Sequence, residues 1–412
     1  TDDLPELVAL TTAADTLFDR HLVATRKLRR ETTDPIVVWG QEFKEPSTKN
    51  QAPRTTTHEK DRRWVSEIRH PYSPYARLKL AMDYWCALWF WPIEKADLLP
   101  NRQQFLTEIG LLLGHVPGFA PSVVQEEFEF LVVEVQGHEV EVATDDLKIE
   151  PGTLVNTDKL CAQSERLALV RQIAGERKFF HWELEFVDLF ADRGGFDLIL
   201  GNPPWVKVEW NEGDLLSERN PAFAIRDLTA PQIARAREEQ LEKPEQRRAY
   251  FDEFVEFAGA QAFLNAMQNY PLLKGQQTNL YKCFLPRAWS LSNSQGVSGF
   301  LHPEGIYDDP KAGRLRREAY PRLRRHFQFQ NGMFLFPEVA HRAKYSINIY
   351  GTASTAKFDS ISNIFAVKTI DQCFADGGLG PPPGIKDEHD QWCVVGHRDR
   401  IVAISTNELD LF

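Results

Sequence analysis

The chain has 412 residues, 42% of them hydrophobic, and a formal net charge of −11. This composition predicts a globular protein of two or three domains, and the acidic balance argues against a surface that coats nucleic acid uniformly. The five cysteines occur singly, as is typical of a reduced cytoplasm, and indicate no metal site. The most apolar stretch, residues 84–91, is far shorter than the ~20 residues of a membrane helix, so we expect a cytoplasmic protein without a membrane span.

The first part of the chain is predicted to be mainly helical. Apolar residues recur at helical spacing, and Ser73-Pro74 is a typical helix start. Alternating side chains on both sides of Gly137 predict a β-hairpin. The predicted elements are helices at residues 1–30, 75–91, 102–113 and 160–175, a loop at 44–63 and the hairpin at 126–143.

Two weaker patterns occur in this part. Asp34, Glu42 and Lys44 have the loose spacing of a PD-(D/E)xK nuclease, but the proline stands on the wrong side of the aspartate. We therefore favour three exposed charges over a nuclease site. His58 and His70 have no companions at metal-ligand spacing and are interpreted as surface histidines.

The most informative stretch follows an apolar run at residues 196–200, which predicts a buried parallel strand stopped by Pro203 and Pro204. Such a strand places Asn202 at the carboxyl edge of the sheet, where α/β enzymes bind ligands. The Asn202 side chain and the Pro203 carbonyl can each accept a hydrogen from an exocyclic amine. Trp205 offers a flat face to an unstacked base.

These residues carry a family resemblance. Gly201-Asn202-Pro203-Pro204-Trp205 resembles motif IV, Asn-Pro-Pro-aromatic, of the methyltransferases that act on the amino group of adenine in DNA. With residues 181–197 before it, the stretch resembles the large adenine methyltransferases of type IIG, BREX and DISARM phage-defence and restriction systems. The resemblance spans roughly residues 75–352. It implies an α/β fold, with a partial Rossmann-like methyltransferase sheet and helical insertion domains, and S-adenosylmethionine as the cofactor.

The resemblance also implies roles for single residues. Asn202, Pro203, Pro204 and Trp205 would form the catalytic motif. Phe336, in a stretch similar to motif VIII, would stack on the flipped base, although a core phenylalanine fits the pattern nearly as well.

The resemblance further implies a cofactor-binding acid at the end of the strand before motif IV. Residues 179–186 alternate like a strand, and Asp188 is the best match for the carboxylate that accepts the adenine amine of S-adenosylmethionine. Glu183 and Glu185 are the alternatives, and a solvated aspartate is an equally good interpretation of Asp188. Residues 279–282, at the start of a predicted helix, resemble motif V.

Residues 311–325 are the most basic segment of the chain. Such a run is usually a solvated helix face, but in an acidic chain it also indicates phosphate contact with double-stranded DNA. The predicted phosphate contacts are Arg314, Arg316, Arg317, Arg324 and Arg325. His302 and Glu304 end a predicted strand, and the resemblance gives them no catalytic role.

We expect three regions: a mainly helical one at 1–160, a catalytic one at 161–355 with a helical insertion at 206–274, and a linker with the start of a target-recognition region at 356–412. No glycine-rich cofactor motif precedes residue 202, since Gly110 and Gly114 lie in a helical context. This absence, together with a first residue, Thr1, that is not Met, leads us to expect the C-terminal portion of a longer enzyme. The partners would then be the rest of that enzyme or other defence-system subunits, and whether this chain alone binds the cofactor stays open.

The sequence therefore predicts a DNA adenine methyltransferase of a restriction–modification or phage-defence system, with no metal. Three alternatives stay open. A protein glutamine methyltransferase uses the same motif, an RNA adenine methyltransferase differs only in its substrate, and a non-catalytic DNA-binding or assembly subunit would need no cofactor motif.

Overall fold

The computed structural model describes residues 4–32, 55–115, 130–135, 138–143, 155–219 and 229–411. The chain divides into two compact units, residues 1–192 and 193–412. These boundaries differ from the predicted ones at 160 and 355, because the helices up to residue 177 pack in the first unit and residues 357–364 pair into the sheet of the second. The proposed nuclease triplet lies outside the described residues.

In its described residues, the first unit consists of helices and one hairpin. Its elements are α1 Leu4–Glu31, α2 Thr57–Arg63, α3 Pro74–Ala87, α4 Arg102–Leu113, β1 Phe130–Val135, β2 His138–Ala143, α5 Thr157–Gln163, α6 Glu165–Arg177, α7 Trp182–Glu185 and α8 Val187–Arg193, which crosses the unit boundary. The predicted hairpin is confirmed, since β1 and β2 pair antiparallel. The first three predicted helices are also confirmed.

Local chemistry explains where the helices of this unit begin. The Ser73 side chain accepts from Ala76 N and Pro74 occupies the first turn, where its missing amide hydrogen costs nothing. Tyr84 and Leu112 are fully buried in one apolar core with Val170, so α3 packs in the core of this unit.

Two sequence-based expectations about secondary structure are wrong in this unit. The strand expected at residues 179–186 is instead α7 with its flanks. Trp182 and Phe186 lie four residues apart and stack at 5.9 Å, a contact that a helical turn provides and alternation alone does not reveal. The single helix expected at 160–175 is broken at Ser164, which is extended (φ −121°) and caps α6 through Leu167 N.

Two further expectations also need correction. His70 is not a surface histidine: it is 3% exposed, and burial lowers its pKa to about 4. The loop expected at 44–63 contains α2, whose N-cap Thr56 accepts from Glu59 N.

The second unit is an α/β domain built on a six-stranded mixed sheet. The strands are β3 Phe196–Gly201, β4 Ser292–Pro303, β5 Leu323–Gln330, β6 Lys344–Tyr350, β7 Lys357–Ile364 and β8 Val402–Ser405, in the order β3-β4-β6-β5-β7-β8. The pairs β3–β4 and β5–β7 are parallel and the other three pairs are antiparallel. The helices are α9 Glu212–Arg219, α10 Ala230–Leu241, α11 Pro244–Asn265, α12 Leu280–Leu291, α13 Gly305–Asp308, α14 Gly313–Ala319, α15 Lys368–Ala375 and α16 Thr406–Leu409.

The strand before motif IV differs from its prediction in burial. β3 is parallel to β4, as expected, but it is the terminal strand of the described sheet. Ile199 packs on the core while Leu198 and Leu200 are 58% and 69% exposed. Because hydrophobicity reports what a strand can bury rather than what covers it, the sequence pattern overestimated its burial.

β5 ends at Gln330, so Phe336 lies in the loop that leads to β6. One apolar cluster of this unit contains Phe300, Leu315 and Tyr350, and another contains Phe329 and Tyr345. Within the described residues, no helix is long and apolar enough to cross a membrane.

Candidate functional site

Motif IV follows directly from the end of β3. Asn202 is exposed and makes no side-chain hydrogen bond within the described part of the chain, whereas Pro203 is buried and Pro204 is exposed. The next residues are held firmly, because Val206 O accepts from Leu280 N at 3.0 Å and Val208 N donates to Thr278 O at 3.1 Å. The motif therefore presents a free amide from a fixed main chain.

Trp205 and Phe336 come together although they are far apart in sequence. Trp205 is half-buried, and its Nε1 donates to Leu301 O at 3.3 Å. Its ring centroid lies 5.4 Å from that of Phe336 and 5.6 Å from that of Tyr345. A base between two rings needs about 7 Å, or two van der Waals contacts. In this arrangement a base fits beside the Trp205–Phe336 pair rather than between the two rings.

Asn331 holds the loop that carries Phe336. Its side chain is fully buried, and its Nδ2 donates to Phe336 O at 2.9 Å and to Val339 O at 2.7 Å. Its Oδ1 accepts from Phe336 N at 3.1 Å. Sequence reasoning missed this residue, although Asn331-Gly332 after an apolar strand is a recognisable turn signal.

Tyr345 was also missed. It is 2% exposed, and its ring contacts Phe336 edge-on at 5.0 Å. Its hydroxyl is buried without a hydrogen-bond partner among the described residues, and burial raises its pKa. An unsatisfied hydroxyl in an aromatic cluster is costly, so it is a ready partner for a polar ligand atom.

Asp188 lies in the first turn of α8 rather than at the end of a strand. Its Oδ2 pairs with Arg29 at 3.0 Å, and its Oδ1 is buried without a partner within the described residues. The spare oxygen suits an amine donor, as the cofactor's adenine requires. Glu185, an alternative, is already engaged by Tyr75 and Arg69.

Asn279 precedes α12, the helix expected after the motif V resemblance. Its Oδ1 is likewise buried without a partner in the described chain. This free acceptor suits a ligand that carries an amino group.

The basic segment divides into engaged and free cations. Arg316 Nη1 donates to Asp309 O at 2.6 Å, Arg324 donates to Pro321 O at 3.0 Å, and Arg325 pairs with Asp359 at 3.0 Å. Arg314 and Arg317 are exposed on α14, and neither has a side-chain partner among the described residues. Those two carry the phosphate-contact prediction best.

His302 and Glu304 belong to a buried polar network. His302 Nδ1 donates to Pro303 O at 2.8 Å, so its Nε2 accepts from Asn348 at 2.9 Å and from Tyr350 at 3.1 Å. Burial lowers the pKa of His302 to about 4. The imidazole is thus neutral and its contacts are internal. Among the described residues, no group of three or more His, Cys, Asp or Glu could hold a metal ion.

Comparison with known proteins supports part of this interpretation. Residues 105–243, which include motif IV, match the family model described as Eco57I restriction-modification methylase. No curated protein matches the chain. Twenty-two chains of solved structures match, among them one described as "Structural basis underlying complex assembly and conformational transition of the type I R-M system". That match has 13% identity and a TM-score of 0.28, and it covers 53% of this chain but only 36% of the other.

Proposed function

We propose that this chain carries the catalytic motif of a DNA adenine methyltransferase that uses S-adenosylmethionine and acts in a restriction–modification or phage-defence system. The observation that carries the proposal is the free Asn202 amide beside the Trp205–Phe336 pair, within a region that matches restriction–modification methylases.

The chemistry follows from the acceptors of motif IV. The amino nitrogen of adenine is a poor nucleophile because its lone pair is delocalised into the ring. The Asn202 Oδ1 and the Pro203 carbonyl would accept its two hydrogens, localise the lone pair and stabilise the positive charge that develops on the nitrogen. Neither acceptor has a hydrogen-bond partner within the described residues, so both are available.

The aromatic pair would hold the flipped base. Stacking on an aromatic side chain contributes ~1–3 kcal/mol per base. Trp205 is fixed by its bond to Leu301 O and Phe336 by Asn331, so both rings are preorganised. The unpartnered Tyr345 hydroxyl lies in the same cluster.

S-adenosylmethionine, when bound, would supply the methyl group. Asp188 would accept a hydrogen from its adenine amine through Oδ1, which has no partner among the described residues. The proposed partners are double-stranded DNA, through Arg314 and Arg317, and further polypeptide of the same system. We propose a cytoplasmic location, because this is where such DNA would be methylated.

Asn202→Ala tests the proposal. Since the native side chain makes no hydrogen bond among the described residues, the variant should fold normally, bind DNA nearly as tightly and lose methyl transfer. Transfer is measured by mass spectrometry of N6-methyladenine in DNA from a methylation-deficient host, and cofactor binding by calorimetry. Equal losses of DNA binding and methyl transfer would contradict the role assigned to Asn202. Methyl groups found in protein or RNA instead of DNA would identify a different substrate class.

A second candidate function is favoured by the edge of the sheet. Leu198 and Leu200 are exposed on the same face of β3, and they form an apolar surface that further polypeptide could cover. A non-catalytic assembly component with this edge would bind DNA without binding S-adenosylmethionine, and the same calorimetric titration separates the two.

A further inference from the structure

The loop between β5 and β6, residues 331–343, carries an exposed apolar tip. Its residues Met333, Phe334 and Leu335 are 50%, 57% and 46% exposed. Single apolar side chains on a surface are ordinary, but three consecutive large ones beside a candidate site mark a surface that contacts something else.

The tip is presented by a rigid frame. Asn331 ties the loop to Phe336 and Val339 through buried bonds. Phe334 adopts the left-handed backbone conformation (φ 52°, ψ 42°). This conformation costs a residue with a Cβ roughly 1–2 kcal/mol and is usually adopted by glycine or asparagine. A strained backbone at a residue whose side chain packs little indicates that the fold keeps the Phe334 ring exposed for contact with another molecule.

The charges around the tip suit a polyanion. Arg342 and Lys344 are exposed where the loop returns to the sheet, and neither has a side-chain partner in the described chain. His341 is exposed beside the Phe334 ring at 6.3 Å. Glu338 is the acidic residue of this loop, so the balance favours phosphate contact.

We propose that Met333, Phe334 and Leu335 form a wedge that enters the base stack of double-stranded DNA at the position an extruded base leaves. The inference rests on the proposed function, because only a base-flipping enzyme leaves such a gap. Apolar side chains of this kind unstack and kink DNA in other proteins. Phe336, two residues beyond Phe334, would contact the extruded base while the tip fills its place.

The test compares binding of two DNA duplexes that differ in a single abasic site, and it needs neither cofactor nor recognition sequence. The full chain is titrated by fluorescence anisotropy. Because the abasic duplex offers a ready gap, we expect it to bind more tightly. Phe334→Gly should reduce that preference about tenfold, the order of one stacked base, while its affinity for the intact duplex changes little.

Two features make the result specific. Glycine relieves the left-handed backbone, so Phe334→Gly should be at least as stable as the native chain. Leu379→Ala removes a 90% exposed leucine elsewhere on the same unit and should leave the preference unchanged.

An unchanged preference in Phe334→Gly, or the absence of any preference in the native chain, would overturn the wedge. Self-association that disappears in Phe334→Gly, with unaltered DNA binding, would also overturn it and assign the tip to a protein contact. Failure of the methylation assay with the preference intact would refute the proposed function alone.

Discussion

The two glycines before β3 give the sharpest test of how motif IV is positioned. Gly194 and Gly195 both have positive φ, +73° and +139°. A Cβ on Gly194 would meet nothing within 4 Å. A Cβ on Gly195 would overlap the main-chain carbonyl of Leu291 and lie 2.9 Å from Asn293 N.

These surroundings set the expected costs. Gly194→Ala introduces left-handed strain of about 1–2 kcal/mol, partly offset by about 0.4–1 kcal/mol of reduced unfolded-state entropy, so we expect a loss near 1 kcal/mol or less. Gly195→Ala adds a backbone conformation that is unfavourable by about 1–3 kcal/mol and an overlap that costs about 1–3 kcal/mol more. Together the two terms predict a loss of about 2–6 kcal/mol.

The assay is urea denaturation followed by circular dichroism. An m-value equal to that of the native chain shows that the variants unfold in a comparable transition. Phe196, next to Gly195, pairs with Ser292. The backbone movement that relieves the overlap in Gly195→Ala should therefore displace β3 and reduce DNA methylation as well. Equal losses in both alanine variants would refute the reasoning, because only the crowding around Gly195 distinguishes them.

Three further outcomes are expected. Asn331→Asp should destabilise by about 2–4 kcal/mol, since the two carbonyls that the amide serves would face a carboxylate, and calorimetric unfolding measures it. The pKa of His302 is about 4 in the folded chain and 6.5 in the unfolded one, so its contribution to folding stability is complete above pH 6.5 and is lost as the pH falls toward 4. His302→Gln should therefore weaken the dependence of stability on pH, measured by unfolding titrations at several pH values. Replacing Arg314 and Arg317 by alanine should lower the slope of log DNA affinity against log salt by about 1–2.

The prediction on salt dependence has a matched control. Arg316 is bound to main-chain carbonyls. Arg316→Ala should therefore lower the free energy of unfolding and change the slope of DNA affinity against salt little. The Asn331 result would be contradicted if Asn331→Asp unfolded at the native midpoint.

Sequence alone determined much of the local structure and the central chemistry. The helix starts at Ser73 and Asn101, the hairpin at 130–143 and the strand before Asn202 follow from short-range rules, because caps, prolines and alternation act between neighbours. Motif IV together with residues 181–197 carries the resemblance to restriction–modification methyltransferases, and the family match confirms it at that level. Adenine, the cofactor and the site residues remain predictions.

Only the tertiary structure decided which side chains are already committed. Arg316 and Arg324 look no different from Arg314 in a basic run, yet their guanidinium groups bind carbonyls that the fold brings near them. The burial of His70, the exposure of Leu200 and the meeting of Trp205 with Phe336 depend on distant segments. Residue type states what a side chain can bind, whereas packing between segments far apart in the chain decides what it does bind.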